Sequence, residues 1–391
     1  MLLSNTALRR REGKDPEVKG KSKGKSRKSG EEERTHAKRL NVVREKMEEK
    51  KVNALLVTHR PNVLYLSGFT GTSGFLLVTL EEALLYTDFR YLQQAGEQVS
   101  AFEIVKVENH VDYSHLSGQL TRSGLKHLAV EESHFSLREF NILKNAAPGI
   151  ELLPLNNFLE EIRAVKEEGE IELIARAAGI ADEAWQELLP LLKPGISELE
   201  VACELEYRLR KRGSEKVPFE FIVASGERSA LPHGVAGERI ISEGELVTVD
   251  FGAVYGGYCS DMTRTFVLGE PSEKQREIYE LVRDAQDMAF KMTAAGQQGA
   301  AVDAVVRRYF QQYGYDAYFG HGLGHGVGLE VHELPVLSPK GQETLQEMMV
   351  FSIEPGIYIE NWGGVRIEDL VVLRPEGLQV LTRSARTLSL G

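Results

Sequence analysis

The chain of 391 residues has only two cysteines, Cys203 and Cys259, and it lacks long apolar runs. Two cysteines cannot form the disulfide framework of a small secreted domain, and such scarcity is typical of proteins from a reducing cytoplasm. No stretch approaches the roughly 18 consecutive apolar residues of a membrane-spanning helix. The N-terminus also lacks the pattern of a secretory signal, because its basic run follows the apolar residues instead of preceding them. We therefore expect a soluble, cytoplasmic protein without a membrane partner.

Basic residues are outnumbered by acidic residues outside the N-terminus. Residues 1–30 hold ten Lys and Arg against three Asp and Glu, whereas the whole chain carries a formal net charge of −11. The acidic remainder argues against a nucleic-acid partner, because attraction to phosphate needs a basic face. The basic arm itself is either a tail for nucleic acid or anionic surfaces, or a solvated extension. It contains no aromatic residue for base stacking, so we interpret residues 1–35 as a disordered basic extension.

The rest of the chain has ordinary globular composition, with 42% hydrophobic and 27% charged residues. A helical pattern from about His36 to Lys51 is followed by short apolar runs that we interpret as strands between helices. This alternation predicts an N-terminal α/β domain over residues 36–156. The apolar runs are Ala54–Val57, Val63–Leu66, Phe75–Leu80, Ala83–Thr87 and His127–Glu131.

The pattern changes in residues 157–391, which we interpret as a second domain. Long helical patterns alternate there with strands that are joined by Gly-rich turns, which is typical of an α+β domain with a mostly antiparallel sheet. The predicted helices are Glu170–Leu192, Ser197–Arg212, Ser272–Ala294 and Ala300–Tyr313.

Two hairpin patterns in this second domain each carry a pair of acidic residues. Asp250 and Asp261 flank a turn near Gly256-Gly257, and their spacing predicts that they face each other across the hairpin. Glu354 and Glu368 are centred in the same way on Asn361. Opposed carboxylates repel each other, and a cation between them removes the conflict.

A Gly-rich segment between the hairpins reads His321-Gly-Leu-Gly-His325-Gly-Val-Gly-Leu-Glu-Val-His332. Its glycines argue against the helical His-Glu-x-x-His zinc motif and favour a strand or loop that approaches a ligand closely. Four carboxylates and one imidazole fit two divalent ions about 3.5–4 Å apart better than one ion. Such a pair holds a bridging water and delivers hydroxide to a polarised carbonyl. Six other histidines are interpreted as ordinary surface or core residues: His36, His59, His110, His115, His127 and His134.

These motifs resemble the Xaa-Pro peptidases, pita-bread-fold metallopeptidases that include prolidase and aminopeptidase P. The resemblance covers about residues 162–390, and residues 36–155 are similar to the smaller N-terminal domain of the same proteins. It implies an α+β chain with a C-terminal pita-bread catalytic domain and a smaller, creatinase-like N-terminal α/β domain. It also implies a dinuclear metal-dependent peptidase that hydrolyses the N-terminal Xaa-Pro bond of dipeptides or short peptides.

The resemblance assigns roles to individual residues. The implied metal ligands include Asp261 and Glu368, which would bridge two ions, and Glu354, which would also carry a proton to the leaving amine. His233 and His332 would stabilise the tetrahedral intermediate, and His321 and Arg366 would contact the substrate or support the ligands. The full ligand set is Asp250, Asp261, His325, Glu354 and Glu368.

The same resemblance implies two divalent ions per subunit, with manganese or cobalt expected before zinc or iron. It further implies a proline-containing peptide as substrate and a homodimer as the assembly.

Three other functions remain open on the sequence alone. A methionyl aminopeptidase shares the catalytic fold but not the N-terminal domain. A creatinase lacks the metal ligands that are present here. A catalytically silent module that binds peptides or proteins would have no physical need to hold four repelling carboxylates together.

Overall fold

The computed structural model describes residues 27–108, 113, 116, 118–120 and 124–390, with side chains from residue 34 onward. Helix α1 spans Arg27–Glu49 and so begins before the predicted start at His36. The last part of the predicted extension is therefore helical. The prediction of disorder for residues 1–26 lies outside the described residues.

The first sheet has six strands in the order β4-β3-β2-β1-β5-β6. The pairs β1/β5, β5/β6 and β3/β4 are parallel, and the others are antiparallel. The strands are β1 Ala54–Val57, β2 Phe75–Thr79, β3 Ala83–Thr87, β4 Glu103–Lys106, β5 His127–Glu131 and β6 Glu151–Leu155, and the helices beside them are α2 Arg60–Ser67, α3 Leu92–Gln98 and α4 Leu137–Ala146.

The predicted strand Val63–Leu66 is wrong, because this segment lies within α2. Pro61 in the first turn of the helix presets a helical φ and needs no hydrogen-bond partner for its nitrogen. Val63 and Leu66 are three residues apart and both reach the core, as helical spacing allows.

Two mainly antiparallel sheets follow, in the orders β19-β11-β8-β7 and β13-β12-β14-β17-β18, together with the short hairpins β9-β10 and β15-β16. Only the β11/β19 pair in these described sheets is parallel. The strands are β7 Ile222–Ser225, β8 Leu246–Phe251, β9 Val254–Tyr255, β10 Tyr258–Cys259, β11 Met262–Leu268, β12 Gly324–Gly326, β13 Glu333–Leu337, β14 Val350–Ile353, β15 Gly356–Ile359, β16 Gly363–Arg366, β17 Asp369–Arg374, β18 Gly377–Val380 and β19 Ser389–Leu390.

The predicted long helices are confirmed within a few residues. Ser197 and Ser272 cap two of them, and each serine forms a capping box with the residue three positions later. The helices of this part are α5 Phe158–Ala164, α6 Glu168–Leu188, α7 Glu198–Lys211, α8 Glu273–Met292 and α9 Gly299–Gln312, and short 3-10 turns lie at Leu189–Leu191, Gly226–Ala230 and Asp316–Tyr318. Among the described residues, no helix combines the length and apolar character needed to span a membrane.

Helix pairs cover one face of each antiparallel sheet. Trp185 of α6 packs against Phe251 of β8 and Phe266 of β11, with ring centroids 5.5 and 5.9 Å apart. Helices α8 and α9 share a second core with β14 and β17. Since side chains alternate along a strand, Asp250 points away from the face that carries Phe251. The mixed helix and sheet content agrees with the predicted α+β class.

We expect Gly252→Ala to destabilise the fold by about 3 kcal/mol, near the upper end for overpacking. A Cβ at Gly252 would lie 1.9 Å from the carbonyl oxygen of Ser260, and both groups are backbone-fixed. Denaturant unfolding measures the change. Gly179→Ala in α6 is the control, because its Cβ would meet no atom within 4 Å and helix propensity favours alanine. Equal stability of Gly252→Ala and the parent would contradict a steric conflict at this position.

Candidate active site

The first acidic pair lies on one hairpin, but its register differs from the prediction. Asp250 pairs with Thr263, and Tyr255 pairs with Tyr258 across the turn Gly256-Gly257. The predicted direct opposition of Asp250 and Asp261 is therefore wrong by two residues, and the two acids are diagonal neighbours. Because the side-chain period of a strand is two, this shift keeps both carboxylates on the same face.

The second acidic pair follows the predicted register. Ile359 pairs with Gly363 and Ile353 pairs with Asp369, so both strand pairs are centred on Asn361. Asn361 adopts a left-handed φ of 60°, which suits a tight turn. The same register places Glu354 opposite Glu368.

Strand β12 brings His325 between the two hairpins. A Cβ at Gly324 would lie 2.0 Å from the carbonyl oxygen of Ser352, and one at Gly326 would lie 2.0 Å from that of Leu334. Only glycine permits such close approach of backbones on both sides of His325. The predicted non-helical conformation of this segment is confirmed.

One cavity of about 420 Å³ is lined by every site residue that the sequence predicts. The Nε2 atom of His325 lies 3.3 Å from Glu354 Oε1 and 3.7 Å from Asp261 Oδ2. Ligand atoms of Asp261, His325 and Glu368 lie within 4.8 Å of one another. The predicted residues around the cavity are His233, Asp250, Asp261, His321, His325, His332, Glu354, Arg366 and Glu368.

Arg366 is the cation that the chain itself supplies to this cluster, and its side chain is 3% exposed. Its guanidinium Nη2 donates to Asp250 Oδ2 at 2.7 Å, and its Nε donates to the hydroxyl of Thr263 at 3.0 Å. Thr263 in turn donates to Glu368 Oε2 at 2.7 Å. Arg366 therefore orients two of the carboxylates, but one guanidinium, even together with a protonated His325, cannot balance four acids.

Three carboxylate oxygens in the cavity are buried and make no hydrogen bond in the described structure: Asp250 Oδ1, Asp261 Oδ1 and Glu368 Oε1. Burial raises the pKa of all three carboxyl groups, and neighbouring carboxylates raise the pKa of Asp261 and Glu368 further. Burial also opposes ionisation of Glu354, but the hydrogen bond and charge of His325 outweigh it and lower the pKa of Glu354 to about 2. Unpaired oxygens around one imidazole fit divalent cations, which would keep these acids ionised.

Two polar residues of the site were not predicted from the sequence. The hydroxyl of Tyr358 accepts from Arg366 Nη1 at 2.9 Å and lies 2.8 Å from His321 Nε2. The hydroxyl of Thr263 connects Arg366 to Glu368. Strand alternation was the available signal, because Tyr358 is an even number of residues from Glu354 and Thr263 is two residues from Asp261.

Comparison with known proteins agrees with this geometry. The profile of Metallopeptidase family M24 matches residues 172–375, and that of the Creatinase/Prolidase N-terminal domain matches residues 39–165. The chain belongs to metallopeptidase family M24. The resemblance and the pita-bread fold class predicted from the sequence are thereby confirmed, and divalent-metal binding is a property of this family.

Similar proteins cover most of this M24 chain. A Xaa-Pro dipeptidase from Pyrococcus horikoshii is 40% identical over 351 residues, which are 90% of this chain and 98% of the relative. The structure of a Xaa-Pro dipeptidase from Bacillus anthracis has a TM-score of 0.88 at 40% identity and covers 91% of this chain and 100% of its own. An X-Pro aminopeptidase from Thermotoga maritima has a TM-score of 0.81 at 39% identity, with 87% and 98% covered.

We expect Asp261→Asn to weaken Mn²⁺ binding by at least about 100-fold, because loss of a ligand should exceed the loss of an outer-shell partner. Titration calorimetry on the metal-free protein measures this affinity. Glu170→Gln is a matched control, since Glu170 is 4% exposed and Asp261 is 5% exposed, but Glu170 lies outside the cavity. Equal Mn²⁺ affinity of the parent and Asp261→Asn would exclude Asp261 as a ligand.

Proposed function

We propose that this M24 enzyme is a dinuclear metal-dependent exopeptidase that hydrolyses the N-terminal Xaa-Pro bond of dipeptides or short peptides. The observation that carries the proposal is the cluster of four carboxylates around His325, three of which have a buried oxygen without a hydrogen-bond partner among the described residues. Relatives named Xaa-Pro dipeptidase, about 40% identical over most of the chain, support the substrate class.

The proposed metal ligands are divided between the two hairpins and β12. Asp261 and Glu368 would contact both ions, Asp250 one, and His325 and Glu354 the other. Bound divalent ions would polarise the scissile carbonyl and lower the pKa of a water molecule. The charge of the cluster supports two ions, because four carboxylates and one guanidinium leave more negative charge than one divalent ion neutralises.

Protein groups then move the proton and stabilise the developing charge. Glu354 would accept a proton from the attacking water and pass it to the leaving nitrogen. His332 has an exposed ring whose centroid lies 4.2 Å from that of His325. His332 and His233 would donate hydrogen bonds to the tetrahedral intermediate from the cavity wall.

Tyr358 contacts both His321 and Arg366. Burial raises the pKa of Tyr358 to about 12, so its hydroxyl keeps its proton at neutral pH. This hydroxyl accepts from Arg366 and therefore has its own proton available for His321. We propose that Tyr358 fixes His321 and Arg366 as substrate-contacting or supporting residues.

The cavity also offers an apolar wall suited to a pyrrolidine ring. Phe219, Ile222, Val235 and Val336 are the apolar side chains that contribute to its lining. A nitrogen of proline has no N–H to offer, so recognition of an Xaa-Pro bond depends on shape and apolar contact with the ring. The cavity volume of about 420 Å³ is in the range of small-ligand sites.

The identity of the metal ions, the assembly, the domain bounds and the location are further parts of the proposal. We propose manganese or cobalt as the resident ions, as the resemblance to the Xaa-Pro peptidases implies, because an oxygen-rich site by itself accepts several divalent ions. We propose from the resemblance that the chain forms a homodimer and has domains over residues 36–156 and 157–391. The resemblance and the two free cysteines support a cytoplasmic location.

The match of residues 39–165 to the Creatinase/Prolidase N-terminal domain disfavours a methionyl aminopeptidase. The complete ligand set disfavours a creatinase or a silent binding module.

The substrate assignment is tested with purified Mn²⁺-loaded enzyme and matched peptides. We expect cleavage of at least one of Leu-Pro and Leu-Pro-Gly to exceed cleavage of Leu-Leu by at least about 100-fold in kcat/KM, since apolar ring recognition and carbonyl polarisation act together. The ratio between Leu-Pro and Leu-Pro-Gly distinguishes a dipeptidase from an aminopeptidase. Faster hydrolysis of Leu-Leu, or cleavage of only Met-initiated peptides, would refute the proposal.

The role of His332 is tested separately. We expect His332→Gln to lower kcat by about 10²–10³ at unchanged metal content, as loss of a transition-state donor does. His127→Gln is the control, because His127 is an exposed histidine remote from the cavity. Parental turnover in His332→Gln would leave His332 with a structural role only.

A further inference from the structure

A second cluster of metal-binding side chains lies outside the cavity. The rings of His59 and His134 stack with centroids 3.5 Å apart and an interplanar angle of 4°. Ligand atoms of these two histidines and of Glu160 lie within 4.8 Å of one another. The interpretation of both histidines as ordinary surface or core residues does not account for this contact. His110 and His115 lie outside the described residues.

The topology of the first sheet explains why these three residues meet. His59 follows β1, His134 follows β5 and Glu160 follows β6, and these strands are parallel neighbours. Carboxyl ends of neighbouring parallel strands lie at the same edge of a sheet, where ligands commonly bind. Residues that are about 100 positions apart in sequence therefore converge at one place.

The charges around the cluster leave room for a cation. Glu160 Oε1 lies 3.4 Å from His134 Nε2, and Glu330 Oε1 lies 3.3 Å from His59 Nε2. Arg163 Nη2 contacts Glu330 Oε2 at 3.0 Å, which compensates one carboxylate. Glu131, 6% exposed, has only neutral donors in its hydrogen bonds with Thr58, His59 and Asn62.

The imidazoles themselves favour a metal ion over added protons. Two stacked rings that both carried a positive charge would repel each other at this distance. Metal ions bind the neutral ring in its own plane, so one of the two rings has to rotate out of the parallel stack when both bind a single ion. The divalent ion then supplies positive charge without that repulsion. The Nδ1 atom of His59 is also buried without a hydrogen-bond partner among the described residues.

We propose that His59, His134 and Glu160 form a third divalent-metal site, separate from the catalytic cavity and selective for Zn²⁺. Two imidazoles and a carboxylate are a common ligand set for zinc, whereas the oxygen-rich cavity favours harder ions. Glu330 or water would complete the coordination. Glu330 lies between His325 and His332 in the sequence, so an ion that Glu330 also binds would connect the edge of the first sheet to the segment that carries these two cavity histidines.

Equilibrium dialysis of the full chain against Zn²⁺, followed by metal analysis, tests the proposal. We expect the parent to bind one more zinc ion per chain than Glu160→Gln, with affinity at the third site reduced by at least about 100-fold in the variant. Glutamine keeps an oxygen that accepts the 2.7 Å hydrogen bond from Asn62 Nδ2, so the fold is preserved while the charge is lost. His127→Gln is the control, because the pair of His127 and Glu151 lies elsewhere on the same sheet.

A direct measurement does not depend on any variant. In zinc-soaked crystals of the parent, an anomalous peak at the zinc edge is expected between His59, His134 and Glu160. Anomalous peaks at the catalytic cavity alone, or equal zinc content of the parent and Glu160→Gln, would overturn the proposal. Either result would leave the peptidase function untouched, since that function is measured with Xaa-Pro peptides.

Discussion

Repulsion among four closely placed carboxylates is the constraint that the catalytic part of this molecule has to satisfy. Asp250, Asp261, Glu354 and Glu368 meet in one cavity, where Asp261 and Glu368 are buried and the other two are partly buried, and Arg366 neutralises only one charge. Their unpaired oxygens are costly without cations. The sheets hold these acids in place because their outer faces are covered by helices, so the hairpins cannot turn the acids toward solvent without exposing apolar residues such as Phe251 and Phe266.

Local patterns in the sequence predicted most of the elements that carry this cavity. Ser197 and Ser272 mark helix starts because their side chains bond backbone N–H groups within the same turn. The register of Glu354 with Glu368 was predictable because one turn residue, Asn361, sets the pairing of the whole hairpin. The other hairpin has two adjacent turn glycines, and the predicted partner of Asp250 was wrong by two residues. Because this shift is an even number of residues, the predicted face of Asp250 is still correct.

Contacts between distant segments could not be predicted from one sequence. The meeting of His59 and His134 depends on β1 lying beside β5, and strand order is not encoded in either local pattern. A short apolar run such as Val63–Leu66 occurs both in helices and in buried strands, so periodicity alone does not decide between the two structures. Tyr358 was not predicted because its importance arises from contact with Arg366, although strand alternation from Glu354 was available as a signal.

The segment that bears His325 and His332 is also held by a buried ionic network. Arg163 and Lys166, whose side chains are 2% and 1% exposed, both bond Glu333. Such pairs add little net stability relative to apolar packing, because desolvation offsets their attraction. Breaking one of them is far more costly, since it leaves an unpaired charge away from water. We therefore interpret this network as a specificity device: it penalises any other position of the segment and so keeps the His325 imidazole directed at Asp261 and Glu354.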